Sequence, residues 1–176
     1  RVDSLRAKYW RRADGRKIVG LSWRSRNARL GPDKSGQLTN LAPLLRTPGI
    51  MFVNLQYGDC AAELAQVRDR FGVDIFVDPG IDATADIDGF FAQVAAMDLV
   101  ITTSNTAAHV AGSLNIPVWV LLPVTKGAIW YWFARREDSP WYPSARLIRA
   151  RTFRSLRPWE TEAAERAAEY LKSLGP

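Results

Sequence analysis

The sequence predicts an α/β domain: a Rossmann-like, doubly wound parallel sheet of about six strands with helices on both faces. Two observations carry this. Short apolar runs alternate with helical patterns at short intervals along all 176 residues. The runs are apolar at consecutive positions, as strands covered on both faces require. No internal repeat or low-complexity segment interrupts the alternation.

Taken in order, residues 3–12 place Leu5 and Tyr9 or Trp10 on one side and read as a helix. KIVGLSW (17–23) reads as the first strand and MFVNLQ (51–56) as the second. A polar loop and a short helix near NLAPLL separate them. Residues 60–71 space Leu64, Val67 and Phe71 helically. DIFV (74–77) reads as the third strand, closed by the turn signal Asp78-Pro79-Gly80. Residues 86–97 gather Ile87, Phe90, Phe91 and Val94 on one face, with Asp86 placed to cap the helix. LVITT (99–103), PVWVLL (117–122) and RLIRA (146–150) read as strands four to six. Pro158 opens a last helix, with Glu160 and Glu162 in its first turn. Its apolar positions are Trp159, Ala163, Ala167, Tyr170 and Leu174, and Gly175 ends it.

This length suits one domain with a real core. Hydrophobic residues make up 47% and charged residues 24%, an ordinary globular composition. No apolar stretch approaches the ~20 residues that cross a bilayer. Residues 1–17 are basic without an apolar segment, so no signal peptide is visible. One cysteine, Cys60, cannot form an internal disulfide, and a reducing, cytoplasmic setting is the expectation. A chain beginning with Arg is expected to be a fragment of something longer. The charge is uneven. Residues 1–34 hold eleven Lys/Arg and three Asp/Glu, whereas the rest holds thirteen and fifteen. Such a patch suits nucleic acid, a phosphorylated small molecule or an acidic neighbouring domain. The loops lack an RNA-binding signature, which argues against nucleic acid.

In a doubly wound sheet the ligand sits at the carboxyl ends of the strands, where their order reverses. With order 3-2-1-4-5-6, the ends of strands one and four border that crevice. The first supplies WRSRNARLGPDKSG, with Arg24, Arg26, Arg29 and Lys34. The second supplies TTSNTAAH. There an apolar run breaks off into hydroxyl and amide side chains. The helix opening after Asn105 presents unpaired amides and the positive end of its dipole. Ser104, Asn105 and Thr106 add donors, and Ala107 and Ala108 allow close approach. A diphosphate fits this seat; the alternative is that Asn105 or Thr106 simply caps a helix.

His109, the single histidine, follows by one turn and is either structural or a phosphate donor. It has no Ser or Asp arrangement of a hydrolytic triad. Asp86-Ile87-Asp88 matches the D-x-D pattern formally, but a helix cap is the better reading. One Cys and one His make a zinc site improbable, and there is neither a P-loop nor G-x-G-x-x-G. Gln56 and Tyr57, just past strand two, are placed to meet a ribose or base, or form an ordinary turn at Gly58. Residues 123–145 make a long connection with Trp130, Tyr131, Trp132, Phe133, Trp141 and Tyr142. Aromatics there stack on a ligand or pack under the loop; mixed use with a packing majority is expected.

VGLSWRS, FVNLQYGD, MDLVITTSNTAAHVAGSLNIPVWVLLP and SPWYPSARL, in this order and spacing, resemble the C-terminal half of bacterial tetratricopeptide-repeat glycosyltransferases. That group is related to the ADP-heptose:lipopolysaccharide heptosyltransferases. The resemblance covers residues ~17–150. It implies a GT-B fold, with residues 1–16 as a linker helix from an N-terminal half and 17–176 as the nucleotide-sugar-binding domain. It implies a nucleoside-diphosphate sugar as donor, bound without metal or other cofactor. Lys34 then contacts donor phosphate, Ser104, Asn105 and Thr106 form the phosphate turn, and His109 is the histidine after it. Many members have Asp where this chain has Ser104. The acceptor's general base is expected in the N-terminal half, so no catalytic residue is assigned here. The implied partners are that half and the repeats, with no nucleic acid and no membrane span. A non-catalytic binding module, or a sugar-nucleotide epimerase, shares the fold.

Overall fold

The computed structural model describes residues 1–124, 126–150 and 157–173. Its centre is a five-stranded, all-parallel sheet of order β2-β1-β3-β4-β5. The strands are β1 (Lys17–Ser22), β2 (Ile50–Asn54), β3 (Leu99–Thr103), β4 (Val118–Leu122) and β5 (Ala145–Arg149). The expected third strand is shortened to one parallel bridge, Phe76 to Val53, at the free edge of β2. Phe76 N–H donates to Phe52 O at 2.9 Å and its carbonyl accepts from Asn54 N–H at 2.8 Å. Beyond it, Asp78 turns inward and Pro79 offers no N–H, so pairing cannot continue. With that bridge counted, the order is the anticipated 3-2-1-4-5-6.

Side chains along the strands alternate between two cores, so both faces are buried. Ile18, Val100, Val118 and Val120 face α1 (Val2–Ala13), α5 (Ile87–Ala95) and α6 (Thr106–Ser113). Val19, Leu21, Ile101, Trp119 and Leu121 face α3 (Ala42–Leu45), α4 (Ala61–Phe71) and α7 (Trp159–Ser173). One further helix, α2 (Gly31–Lys34), is a single turn inside the basic loop.

Local signals act as their chemistry dictates. Asp86 caps α5, accepting from Gly89 N–H at 2.8 Å. Gly72 ends α4 at φ 67°. Pro158 immediately precedes α7; the expected apolar Leu174 and terminal Gly175 lie outside the described residues. On α1 Tyr9 is buried, while Trp10 is 67% exposed. The Tyr9 hydroxyl donates to Asp78 at 2.8 Å and Lys8 pairs with the same carboxylate at 2.7 Å. Arg6 binds Asp98 and the Ala96 carbonyl. No helix among the described residues is long and apolar enough to cross a membrane.

Candidate functional site

β1 leads to β2 on one side and β3 lies on the other, so the strand order reverses between β1 and β3. The crevice at their carboxyl ends is floored by a buried polar network. Asn105 Nδ2 crosses it, donating to Ser22 Oγ at 2.8 Å and to Arg24 O at 3.0 Å. Its Oδ1 caps α6 by accepting from Ala107 N–H at 2.9 Å, and also accepts from Thr102 Oγ1 at 2.9 Å. Gln56 reaches in from the end of β2. Its Oε1 accepts from Trp23 N–H at 3.0 Å, Arg24 N–H at 2.8 Å and Ser22 Oγ at 3.2 Å. Asn105 and Gln56 therefore shape the loops, with their polar atoms already used. A sequence cannot show this, because either residue type also suits a ligand.

Above that floor the cations separate. Arg24 turns to α4, pairing with Glu63 at 2.9 Å and donating to Asp59 O at 2.9 Å. Arg26 is exposed; its backbone N–H donates to the Tyr57 hydroxyl at 2.6 Å, which pins the loop. Arg29 is exposed as well. Lys34 alone is buried, at 7% exposure, and makes no ion pair or side-chain hydrogen bond with the described residues. Burial pushes its ammonium below the ordinary lysine range. Its charge is felt at His109, where burial first and Lys34 second push the imidazole down. Lys34 is thus an electrostatic neighbour of the first turn of α6. Asp33 does not neutralise it: no ion pair joins the two among the described residues.

On α6 itself, the Thr106 side chain is exposed at the opening turn. Ser104 points the other way, fully buried, and its hydroxyl accepts from the Trp132 indole N–H at 2.8 Å. His109 stacks on Trp132 with centroids 5.4 Å apart and bonds the Tyr142 hydroxyl through Nδ1 at 3.0 Å. Gly112 makes that packing possible, since a Cβ there would meet the Tyr142 ring at 2.4 Å. The β4–β5 connection is therefore fastened onto α6. It also touches α2: Gly127 holds φ 82°, and a Cβ there would lie 2.3 Å from Asp33 O. The Arg149 guanidinium donates to the carbonyls of Trp132 and Phe133, each at 2.6 Å. The roles of Trp132, Tyr142 and Arg149 escape the sequence. The aromatic run was visible, but no spacing rule pairs residues 28 and 33 positions apart.

Beside the crevice, beyond β2, a cavity of about 590 Å³ is lined by Gln56, Tyr57, Leu64, Asp78, Ile81 and Gln93. The remaining acids have local work. Asp82 accepts from Thr84 and Ala85 N–H, and Asp86 caps α5 and pairs with Arg1. Among the described residues no three His, Cys, Asp or Glu side chains converge as a metal set would.

No family model matches the chain. It is 40% identical over 154 residues to Protein FlbA of Caulobacter vibrioides, a match covering 83% of this chain and 25% of that protein. Among solved structures, E. coli ADP-heptose LPS heptosyltransferase II superposes with a TM-score of 0.62 at 18% identity, over 98% of this chain and 50% of that one. A glycosyl transferase of family 9 from Veillonella parvula superposes with a TM-score of 0.65 at 12% identity, over 97% and 51%. The chain thus shares the Rossmann-like fold found over about half of each of these two proteins. The chain spans a quarter of the curated relative's length and about half of each solved structure.

Proposed function

We propose that the chain is the donor-binding half of a GT-B glycosyltransferase, taking a nucleoside-diphosphate sugar without metal. The observation that carries this is Lys34: a buried ammonium without a carboxylate, in the loop that follows β1 at the switch point. A buried cation lacking a partner is costly unless an anion completes it. The unpaired amides of α6 and the exposed Thr106 hydroxyl supply the complementary donors. The nucleoside goes to the cavity at the end of β2, beside Tyr57. The two phosphates lie between Lys34 and α6, where fixed positive charge stabilises the departing nucleotide.

The acceptor site and the general base belong, in this reading, to an N-terminal half of a longer, cytoplasmic, repeat-containing protein, with α1 as the linker between the halves. Supporting this, Asp59, Glu63, Asp82 and Asp86 near the crevice are tied into turns, a cap and ion pairs. Those four are spent on local contacts and do not serve as a base for an acceptor hydroxyl. The test is calorimetry of the chain against nucleoside diphosphates. Binding that weakens on Lys34→Ala supports the reading; absence of binding by any common nucleoside diphosphate at millimolar concentration overturns it.

A further inference from the structure

Trp130 is 77% exposed, yet the residues that follow it are fastened in place. Trp132, two residues on, is buried and hydrogen-bonded to Ser104. Arg149 grips the carbonyls of Trp132 and Phe133, and the Trp141 indole donates to Tyr131 O at 3.0 Å. Phe133 closes the turn at φ 52°, a backbone state that a bulky residue adopts only against strain. The fold therefore accepts strain and leaves a whole indole in water at one defined place. Successive ring contacts run from Trp130 to Tyr131 at 5.6 Å and from Tyr131 to His109 at 5.5 Å. They join Trp130 to the first turn of α6 by an unbroken aromatic surface. A cavity of about 270 Å³, lined by Leu122, Ile129, Trp130, Trp132 and Arg149, opens beside it.

We infer that Trp130 is the stacking platform for the sugar ring of the ligand and sets selectivity for that sugar. This rests on the reading that a diphosphate sits between Lys34 and α6. The nucleoside cavity lies beyond β2, and Trp130 lies on the opposite side of the phosphate turn, beyond β4. A ligand with its base in the first place extends its sugar toward the second. The face of a sugar ring is a sheet of C–H bonds that packs on an exposed indole, while its hydroxyls stay solvated at the rim. A fixed platform also limits the ordering cost of binding.

The experiment is calorimetry of the chain and its Trp130→Ala and Trp130→Phe variants. The probes are ADP, UDP and GDP and the matching ADP-glucose, UDP-glucose and GDP-mannose. Trp130→Ala should bind the diphosphate within about twofold of the parent and the sugar nucleotide about tenfold more weakly. Trp130→Phe should recover most of that loss. Because the indole is exposed, the variants should melt as the parent does. Equal affinities in parent and Trp130→Ala, or an equal loss for diphosphate and sugar nucleotide, overturns the inference alone. A parent chain that binds no diphosphate overturns the phosphate-site reading, and this inference with it.

Discussion

At the scale of single residues, Lys34 sets function against stability. Its buried ammonium is a cost to the empty fold that a diphosphate would relieve. Lys34→Met should therefore raise the melting temperature, by about 2–4 °C for each kcal/mol relieved, while weakening diphosphate binding. A charge-assisted contact is worth roughly 1.5–3 kcal/mol, or about ten- to a hundredfold in Kd. Calorimetry paired with thermal melts checks both halves. The pH dependence has a definite sign. Burial holds Lys34 below 10.5 in the free fold, and only its protonated form attracts phosphate. Affinity should be level at neutral pH, fall as pH rises through that lowered value, and stay flat over the same range in Lys34→Ala. Asn105 behaves oppositely. Asn105→Ala removes a helix cap and the buried hydrogen bonds to Ser22, Thr102 and the Arg24 carbonyl, so urea denaturation should show a loss of about 2–4 kcal/mol. Thr106→Val should leave stability unchanged, because Asn105 does the capping, and weaken diphosphate binding.

Among the elements, α1 docks through chemistry that pH can test. Asp78 is 3% exposed. Burial pushes its carboxyl up, but hydrogen bonds from Lys8, the Gly80 amide and Tyr9 outweigh that and leave it below the ordinary 3.8. A depressed carboxyl stabilises the fold above its unfolded value and loses that effect as pH falls through its folded value. The window thus lies below about pH 4. Hydrogen exchange should show the α1 amides losing protection there before the sheet does, and Asp78→Asn should expose them already at neutral pH. If Asp78→Asn leaves α1 protected, the apolar contacts of Leu5, Tyr9 and Ala13 suffice to hold it. The same tie links α1 to the cavity beyond β2 proposed for the nucleoside, since Asp78 bonds Tyr9 and lines that cavity. A shift of α1 would therefore reach the ligand.

For the whole molecule, the chain by itself should transfer no sugar. Lys34 and the α6 amides can stabilise a departing nucleotide, but proton removal from an acceptor needs a positioned base. Slow donor hydrolysis is the most that should be seen. A transfer assay comparing the chain with a longer protein that includes an N-terminal half checks this. Robust transfer by the short chain would mean that one of its carboxylates acts as the base.

The sequence alone determined the layered architecture, with its parallel strands covered by helices on both faces. Periodicity and turn chemistry are local, so apolar runs such as Val19–Leu21 and Leu99–Ile101 announce themselves, as do caps such as Asp86. Only the tertiary structure decided what each polar residue at the crevice does. Asn105, Gln56 and Lys34 look alike in a string, as polar residues near strand ends. Packing spent the first two on buried loop contacts and left the third without a partner. The same holds for Trp132 and Trp130, neighbours in one aromatic run. The first is buried on Ser104 and His109, and the second stands in water just before the carbonyls that Arg149 grips. Those outcomes depend on contacts between residues far apart in the chain, which no local pattern encodes.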